Sequence, residues 1–337
     1  MNWLKTAGQN SEPVSEMNLE RLAMKRFLVL GRAGLDLYAD PPGTRTENAQ
    51  RFAAALGGSA ANIAAGIVRL GGEAALITTV SDDAVGRHVV NELKRYGILT
   101  DHVRAVGGEA RNSLAIVETR NENCQSVIYR NGAADFQLAV EDISGIAYEK
   151  FAALIVTGTC LAAEPSRSAT FNAMQIARKK HLPVILDVDY RPYSWVSADD
   201  AAAICSKAAD LSDIVIGNDV EFAVMANGGD GLALAKALAE QDGKTCVYKM
   251  GEKGSITLAP GRHFETGIFA VTALKPTGAG DAFMSGLVMS LAQGRDLEEA
   301  VLRGSAAAAI VVTRVGCAPA MPAPDELQRF IATHRTP

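Results

Sequence analysis

The sequence predicts an α/β fold: a doubly wound, mainly parallel sheet with helices on both faces and a small β lid. Three observations point there. Short apolar runs alternate with helix-spaced patterns along most of the 337 residues, the arrangement of a parallel sheet covered by helices. Two stretches, 39–56 and 106–130, break that rhythm. Apolar residues make up 48% of the chain, enough for a sizeable core.

The elements follow in order. Residues 1–24 hold no continuous apolar core and do not read as a signal peptide. They read as an extension, with no fixed structure required of it, ahead of a domain over 25–332. "RFLVLGRAGLDLYA" opens with a strand and is read with Asp36 at that strand's end. Residues 39–56 are a polar insertion. "SAANIAAGIVRLGG" is a small-residue helix closed by glycine, "AALITTV" a strand and "VGRHVVNELKRYGI" an amphipathic helix. "VGGEARNSLAIVETRNENCQSVIYR" reads as a β-hairpin turning at "RNEN". A hairpin does not fit inside a doubly wound sheet, so it joins 39–56 in the lid. "FAALIVTG", "PVILDVDY", "SDIVIGN" and "TCVYKMG" are further strands. "GSAAAAIVVTRVG" is too short to span a membrane and reads as a buried helix.

Charge and cysteines exclude several classes. Lys and Arg total 33 against 38 Asp and Glu, a net charge of −5 with no basic block. No nucleic-acid or anionic-membrane surface is signalled. The five cysteines are scattered and form no CxxC, so neither a disulfide framework nor a zinc site is suggested, and a reducing cytoplasm fits.

Five clusters could carry chemistry. "KPTGAGDAFMSGL" puts Thr277, Gly278, Ala279, Gly280 and Asp281 where a β-rich segment gives way to a helix. Unpaired N–H groups at a helix start attract an anion, and glycines let a phosphate approach the backbone. Read alone, the signal is weak and the loop reads first as a plain turn before a helix. It matches neither GxxxxGK[ST] nor a GxGxxG after the first strand, which disfavours a P-loop and a nicotinamide-dependent dehydrogenase. "GRAGLDLYA" and "GGSAANIA" contribute Asp36, Gly58 and Asn62, suited to sugar hydroxyls or, equally, to an Asx turn and a helix cap. "GNDVEF" sets Asn218 and Glu221 three apart, for a hydrated Mg²⁺ or for a capping box, two roles that can coexist. In "LDVDYRPYSW", Arg191 beside Asp187 and Asp189 could fork onto an acid group or form a salt bridge. "VIYRNGAAD" adds Tyr129, Arg130, Asn131 and Asp135 after the hairpin.

In this order the clusters resemble the ribokinase-like sugar kinases, the PfkB family, over about residues 25–330. "GGSAANIAAGIVRLGGEAALITTVSDDAVGRHVVNELKRYGI" is similar to the family's N-terminal signature and "PTGAGDAFMSGLV" to its C-terminal one. The resemblance implies ATP- and Mg²⁺-dependent phosphorylation of a sugar hydroxyl. It assigns Asp281 as base, with Gly278, Ala279 and Gly280 as anion hole. Asn218 and Glu221 would serve Mg²⁺ and phosphate, Glu221 through water. Asp36, Gly58 and Asn62 would hold the sugar. The nucleotide would lie along Lys249, Gly251 and Gly254 of "KMGEKG", Thr277 and Ala306. Within the family the wording lies nearest kinases of keto-deoxy sugar acids, for which Tyr129, Arg130 and Arg191 would suit the acid end. Other acceptors, such as ribose or fructose, and a sugar sensor that keeps the pocket are the alternatives. The intact GAGD and NxxE speak against the sensor.

One position departs from the family. Lys275 stands where many members have an Asp that helps bind a monovalent cation, so dependence on K⁺ is in doubt. The expected partners are a small sugar acid and ATP, with no nucleic acid and no membrane. The lid's strand edges offer a surface for homodimer formation.

Overall fold

The computed structural model describes residues 20–120 and 123–334. Thirteen strands form among them: β1 Arg26–Leu30, β2 Gly34–Asp40, β3 Arg51–Gly57, β4 Glu73–Ser81, β5 Val103–Val106, β6 Leu114–Val117, β7 Ser126–Tyr129, β8 Ala153–Thr157, β9 Val184–Asp187, β10 Ile214–Asn218, β11 Thr245–Lys249, β12 Ser255–Ala259 and β13 Arg262–Thr266. Nine make the main sheet, in the order β13-β12-β11-β10-β9-β8-β1-β4-β5. It is parallel from β5 to β11 and antiparallel from β11 to β13.

The apolar run of β1 shows why helices cover both faces. Phe27, Leu28, Val29 and Leu30 are all 0% exposed. Alternate side chains point to opposite faces of a strand. Phe27 and Val29 join one core, with helices Ser59–Arg69, Ala279–Ala292 and Leu297–Val312. Leu28 and Leu30 join the other, with Ser166–Lys179, Ala198–Asp210 and Gly231–Glu240. Each fully buried side chain of this kind contributes about 1.5–3 kcal/mol. Among the described residues no helix is long and apolar enough to cross a membrane.

Helix Ala279–Ala292 is held closely from two sides. A Cβ on Gly286 would lie 3.0 Å from Gly304 Cα, and one on Gly66 would lie 2.3 Å from Ser285 Oγ. Gly286 lets two helices meet at their backbones and Gly66 makes room for the Ser285 side chain, which together fix the position of residues 278–281.

The lid is a second sheet in the order β3-β2-β6-β7. It has a small core of Tyr38, Ala55, Ala115 and Val117, with Ile128 packed against it. It begins earlier than the sequence suggests. Asp36 is not at the end of the first strand: β1 stops at Leu30, and Asp36 lies within β2, opposite Ala55 and Ala115. The break falls at Gly31, where a Cβ would sit 2.2 Å from Thr157 Oγ1. The lid strands thus span 34–57 and 114–129, whereas Val106 still belongs to β5 of the main sheet. Residues 121 and 122 of the expected "RNEN" turn lie outside the described residues. So do residues 1–19 of the expected extension. Its last part packs onto the domain: Leu22 is in the core, and Arg21 Nε donates to Phe151 O at 2.9 Å.

Candidate active site

Between the lid and the carboxyl ends of β9, β10 and β11 lies a cavity of about 440 Å³. Its floor is the start of helix Ala279–Ala292. Gly278 has φ +86° and a place for a Cβ only 2.7 Å from Cys317 Sγ, so glycine alone suits the turn. No side chain caps this helix. The first N–H groups of an α-helix have no intrahelical partner, and here they open onto the cleft with the positive end of the dipole. Beside them, Lys249 Nζ lies 3.6 Å from where a Cβ on Gly280 would be. Backbone amides beside an ammonium are a seat suited to an anion such as phosphate.

Asp281 is half-buried beside that seat, and its Oδ2 accepts from Asn62 Nδ2 at 2.8 Å. Burial, then the charge of Asp189, pushes its pKa up to about 6, against the Asn62 hydrogen bond and the charges of Arg191 and Arg32. At neutral pH it is an ionised carboxylate, poised to accept a proton.

Facing it from the lid and from helix Ser59–Arg69 are polar atoms without partners. Asp36 Oδ1, Asn62 Oδ1 and Ser59 Oγ are buried, line the cleft and make no hydrogen bond. Asp36 Oδ2 accepts from Tyr38 OH at 3.3 Å. Burial raises the Asp36 pKa, offset by Arg32, Tyr38 and Lys275. Space for this carboxylate comes from Gly57, where a Cβ would meet Asp36 Oδ1 at 1.9 Å. Buried polar groups in folded proteins are nearly always satisfied, so three orphans on one wall suit a ligand rich in hydroxyls.

The third wall is acidic. Asp187, Asp189, Asn218 and Glu221 line it. Asn218 and Glu221 form a true capping box: Asn218 Oδ1 accepts from Glu221 N at 2.9 Å, and Glu221 Oε2 from Asn218 N at 2.7 Å. Glu221 Oε1 accepts from Tyr190 N at 3.2 Å. Burial raises the pKa of Glu221, and burial with neighbouring acids raises that of Asp187, both against the charge of Lys249. A divalent cation would relieve this crowding. Among the described residues no group of three or more His, Cys, Asp or Glu could hold one directly. The site therefore fits Mg²⁺ that keeps its water and arrives with phosphates.

Most of the predicted site residues meet in this cleft: Asp36, Gly58, Asn62, Arg130, Arg191, Asn218, Glu221, Lys249, Thr277, Gly278, Gly280 and Asp281. Ala279 is the first residue of the helix they surround. Ala279 does not itself line the cleft, and neither do four others. Tyr129 is 57% exposed, while Ser126 and Ile128 of the same strand line the cleft; the strand's period of two sends the tyrosine elsewhere. Gly251 and Gly254 bound a 3-10 turn beyond β11, and Gly254 is shaped by the backbone, a Cβ there meeting Thr266 O at 2.1 Å. Ala306 is buried in helix Leu297–Val312. Lys275 is 1% exposed, and its Nζ donates to Thr277 O behind the loop. Arg32, Thr159, Tyr193 and Cys317 also line the cleft and were not singled out by the sequence. Arg32 stands between a strand end and Asp36, a position that by itself marks no role.

A family model described as "pfkB family carbohydrate kinase" matches residues 24–324. A 5-dehydro-2-deoxygluconokinase of Photobacterium profundum is 43% identical, over 91% of this chain and 94% of its own. One of Geobacillus kaustophilus is 35% identical, over 92% and 94%. Among solved structures, a fructokinase with bound ATP from Xylella fastidiosa superposes with a TM-score of 0.81 at 24% identity, over 92% of this chain and 98% of that one. Aminoimidazole riboside kinase from Salmonella enterica, complexed with aminoimidazole riboside and an ATP analogue, gives 0.77 at 23%, over 90% and 99%. At these identities the structures speak for the fold.

Proposed function

The chain belongs to the pfkB family of carbohydrate kinases, and from that premise we propose that it transfers the γ-phosphoryl group of ATP to the terminal hydroxyl of 5-dehydro-2-deoxy-D-gluconate, giving the 6-phosphate, a step of myo-inositol catabolism. The observation that carries the reading is the pairing of a half-buried carboxylate with an uncapped helix start. Asp281 lies at the amides that would hold the phosphoryl group and opposite the orphaned polar atoms of Asp36, Asn62 and Ser59. The acceptor choice rests on likeness to kinases of that name.

Phosphoryl transfer asks mainly for alignment and charge stabilisation. Asp36, Ser59 and Asn62 orient the acceptor through its hydroxyls. Asn62 also fixes the Asp281 carboxylate, which takes the proton from the attacking oxygen. The amides of Gly278 to Asp281 and the Lys249 ammonium stabilise charge building on the phosphoryl oxygens. Tyr38 and the rest of the lid core cover the cleft and keep water from the γ-phosphate. Mg²⁺, when bound, neutralises the phosphates, and Asn218 and Glu221 would hold its water shell.

The buried Lys275 ammonium supports a loop that needs no monovalent cation. The edge strands β3 and β7, with exposed Phe52, Val127 and Tyr129, support a homodimer through the lid. The five cysteines are all free, which accords with a cytoplasmic location.

Coupled ADP detection tests the acceptor. The expected order places 5-dehydro-2-deoxygluconate well above 2-keto-3-deoxygluconate, with ribose and fructose lowest. A higher kcat/KM on any of the others would overturn the assignment, and ligand binding without ADP release would make the protein a sensor.

A further inference from the structure

Three guanidinium groups line the cleft, those of Arg32, Arg130 and Arg191. Two have their own carboxylates. Arg130 donates to Asp135 Oδ2 through Nε at 3.0 Å and Nη2 at 2.5 Å. Arg191 lies 2.7 Å from Asp189 Oδ1. Arg32 differs. Among the described residues no carboxylate oxygen lies within ion-pair distance of it, and its side chain makes one hydrogen bond, from Nη1 to Ser113 Oγ at 3.1 Å. Yet Arg32 is only 9% exposed.

A hydroxyl satisfies one donor of a guanidinium and none of its charge. Buried cations are ordinarily paired, because losing water without gaining an anion is unfavourable. The surroundings show that Arg32 is placed deliberately. A Cβ on Gly34 would lie 2.9 Å from Arg32 Nη1 and 2.7 Å from Ser113 Oγ, so glycine there leaves room for the pair. A Cβ on Gly58 would lie 2.3 Å from Arg32 O, so glycine there lets the next helix close over the backbone. The chain thus encloses a cation at the joint between β1 and β2 with no carboxylate in contact with it: the charges of Asp36 and Asp281 reach it only at longer range, and its fork is left for an anion from outside.

Its position says which anion. The phosphate seat at residues 278–281 already has amides and Lys249. Arg32 stands between β1 and β2, four residues before Asp36, and is hydrogen-bonded to the residue that precedes β6. It therefore belongs with the acceptor contacts. We infer that Arg32, positioned by Ser113, recognises the carboxylate of an acidic acceptor and so selects sugar acids over neutral sugars. The inference rests on the kinase reading above and deepens it. A planar fork against a carboxylate is the geometry that guanidinium serves best.

The test compares one acid with its neutral counterpart. Wild-type protein, Arg32→Gln, Arg32→Lys and Ser113→Ala are assayed with 5-dehydro-2-deoxygluconate and with its carboxamide, and the kcat/KM ratio of acid to amide is taken for each. Charged hydrogen bonds of this kind correspond to about 10- to 100-fold in binding. The wild-type ratio is expected in that range. It should fall to near one in Arg32→Gln, mostly through KM, recover partly in Arg32→Lys, and drop less in Ser113→Ala. KM for ATP reports whether each variant keeps its nucleotide site. An unchanged ratio in Arg32→Gln overturns the inference, as does an equal loss on acid and amide, which marks a structural role. A wild-type protein that phosphorylates only neutral sugars overturns it too. One that phosphorylates a different sugar acid overturns only the choice of 5-dehydro-2-deoxygluconate, and the same ratio, taken on that acid and its amide, then decides the role of Arg32.

Discussion

Asp281→Asn separates what Asp281 does for chemistry from what it does for stability, and the two effects have opposite signs. Burial and Asp189 raise its pKa from the ordinary 3.8 to about 6. That interval corresponds to about 3 kcal/mol. An acid whose pKa is raised on folding binds its proton more tightly in the folded chain. Folding is therefore penalised wherever the group is ionised: fully above about pH 6, progressively less below it, and not at all below about pH 4. Asparagine cannot ionise, and its side-chain oxygen can still accept from Asn62. The variant should thus be more stable than wild type at pH 7.5, by up to about 3 kcal/mol, and equally stable near pH 4. Catalysis moves the other way. Losing a general base costs about 10²- to 10⁴-fold in kcat, while ATP affinity should hold or tighten as a negative charge leaves the phosphate seat. The wild-type rate should fall with unit slope below about pH 6, because protonation removes the base, and that limb should vanish in the variant. Coupled ADP assays across pH, thermal unfolding at pH 7.5 and 4, and calorimetric titration with ATP read all three effects. A kcat within tenfold of wild type, or a variant less stable at pH 7.5, would refute the reasoning.

Three further outcomes are expected. Gly280→Ala places a methyl group 3.6 Å from Lys249 Nζ, over the exposed amides; it should fold normally and lose about 10- to 100-fold in kcat, as removal of part of an oxyanion hole does, and an undiminished kcat would exclude that face of the helix from phosphate contact. Activity in buffer free of K⁺ should equal that with K⁺ added, since the Lys275 ammonium is already buried against Thr277 O; a large loss of rate on omitting K⁺ would reject this. Tyr129→Ala should leave kcat/KM within about twofold, because surface changes away from a site are usually near neutral and this side chain is 57% exposed outside the cleft; a larger loss would mean that the lid moves Tyr129 inward on closing.

What was legible in the sequence is what local rules decide. The alternation of strands and helices, the uncapped glycine turn before Asp281 and the Asn218–Glu221 spacing each depend on residues close together in the chain, and each forms as expected. Asp36 was harder, because "RFLVLGRAGLDLYA" is apolar on both sides of Gly31, where β1 stops in the fold, and the closeness of Thr157 Oγ1 that calls for glycine there comes from a distant strand. Tyr129 failed on phase: alternation says that one side chain in two faces the cleft, and the neighbours across the lid decide which.

Arg32 was least legible for the same reason carried further. Its sequence neighbours say only that an arginine stands between two strands. The partners that distinguish the three arginines are Asp135 from a 3-10 turn, Asp189 from beyond β9 and Ser113 from ahead of β6. A carboxylate reached two of them and a hydroxyl reached the third. Which cation remains available to a ligand is therefore a property of pairing across the tertiary structure. A count of charged residues cannot supply it, because the same three arginines with Asp135 and Ser113 exchanged would leave a different residue to meet the acceptor.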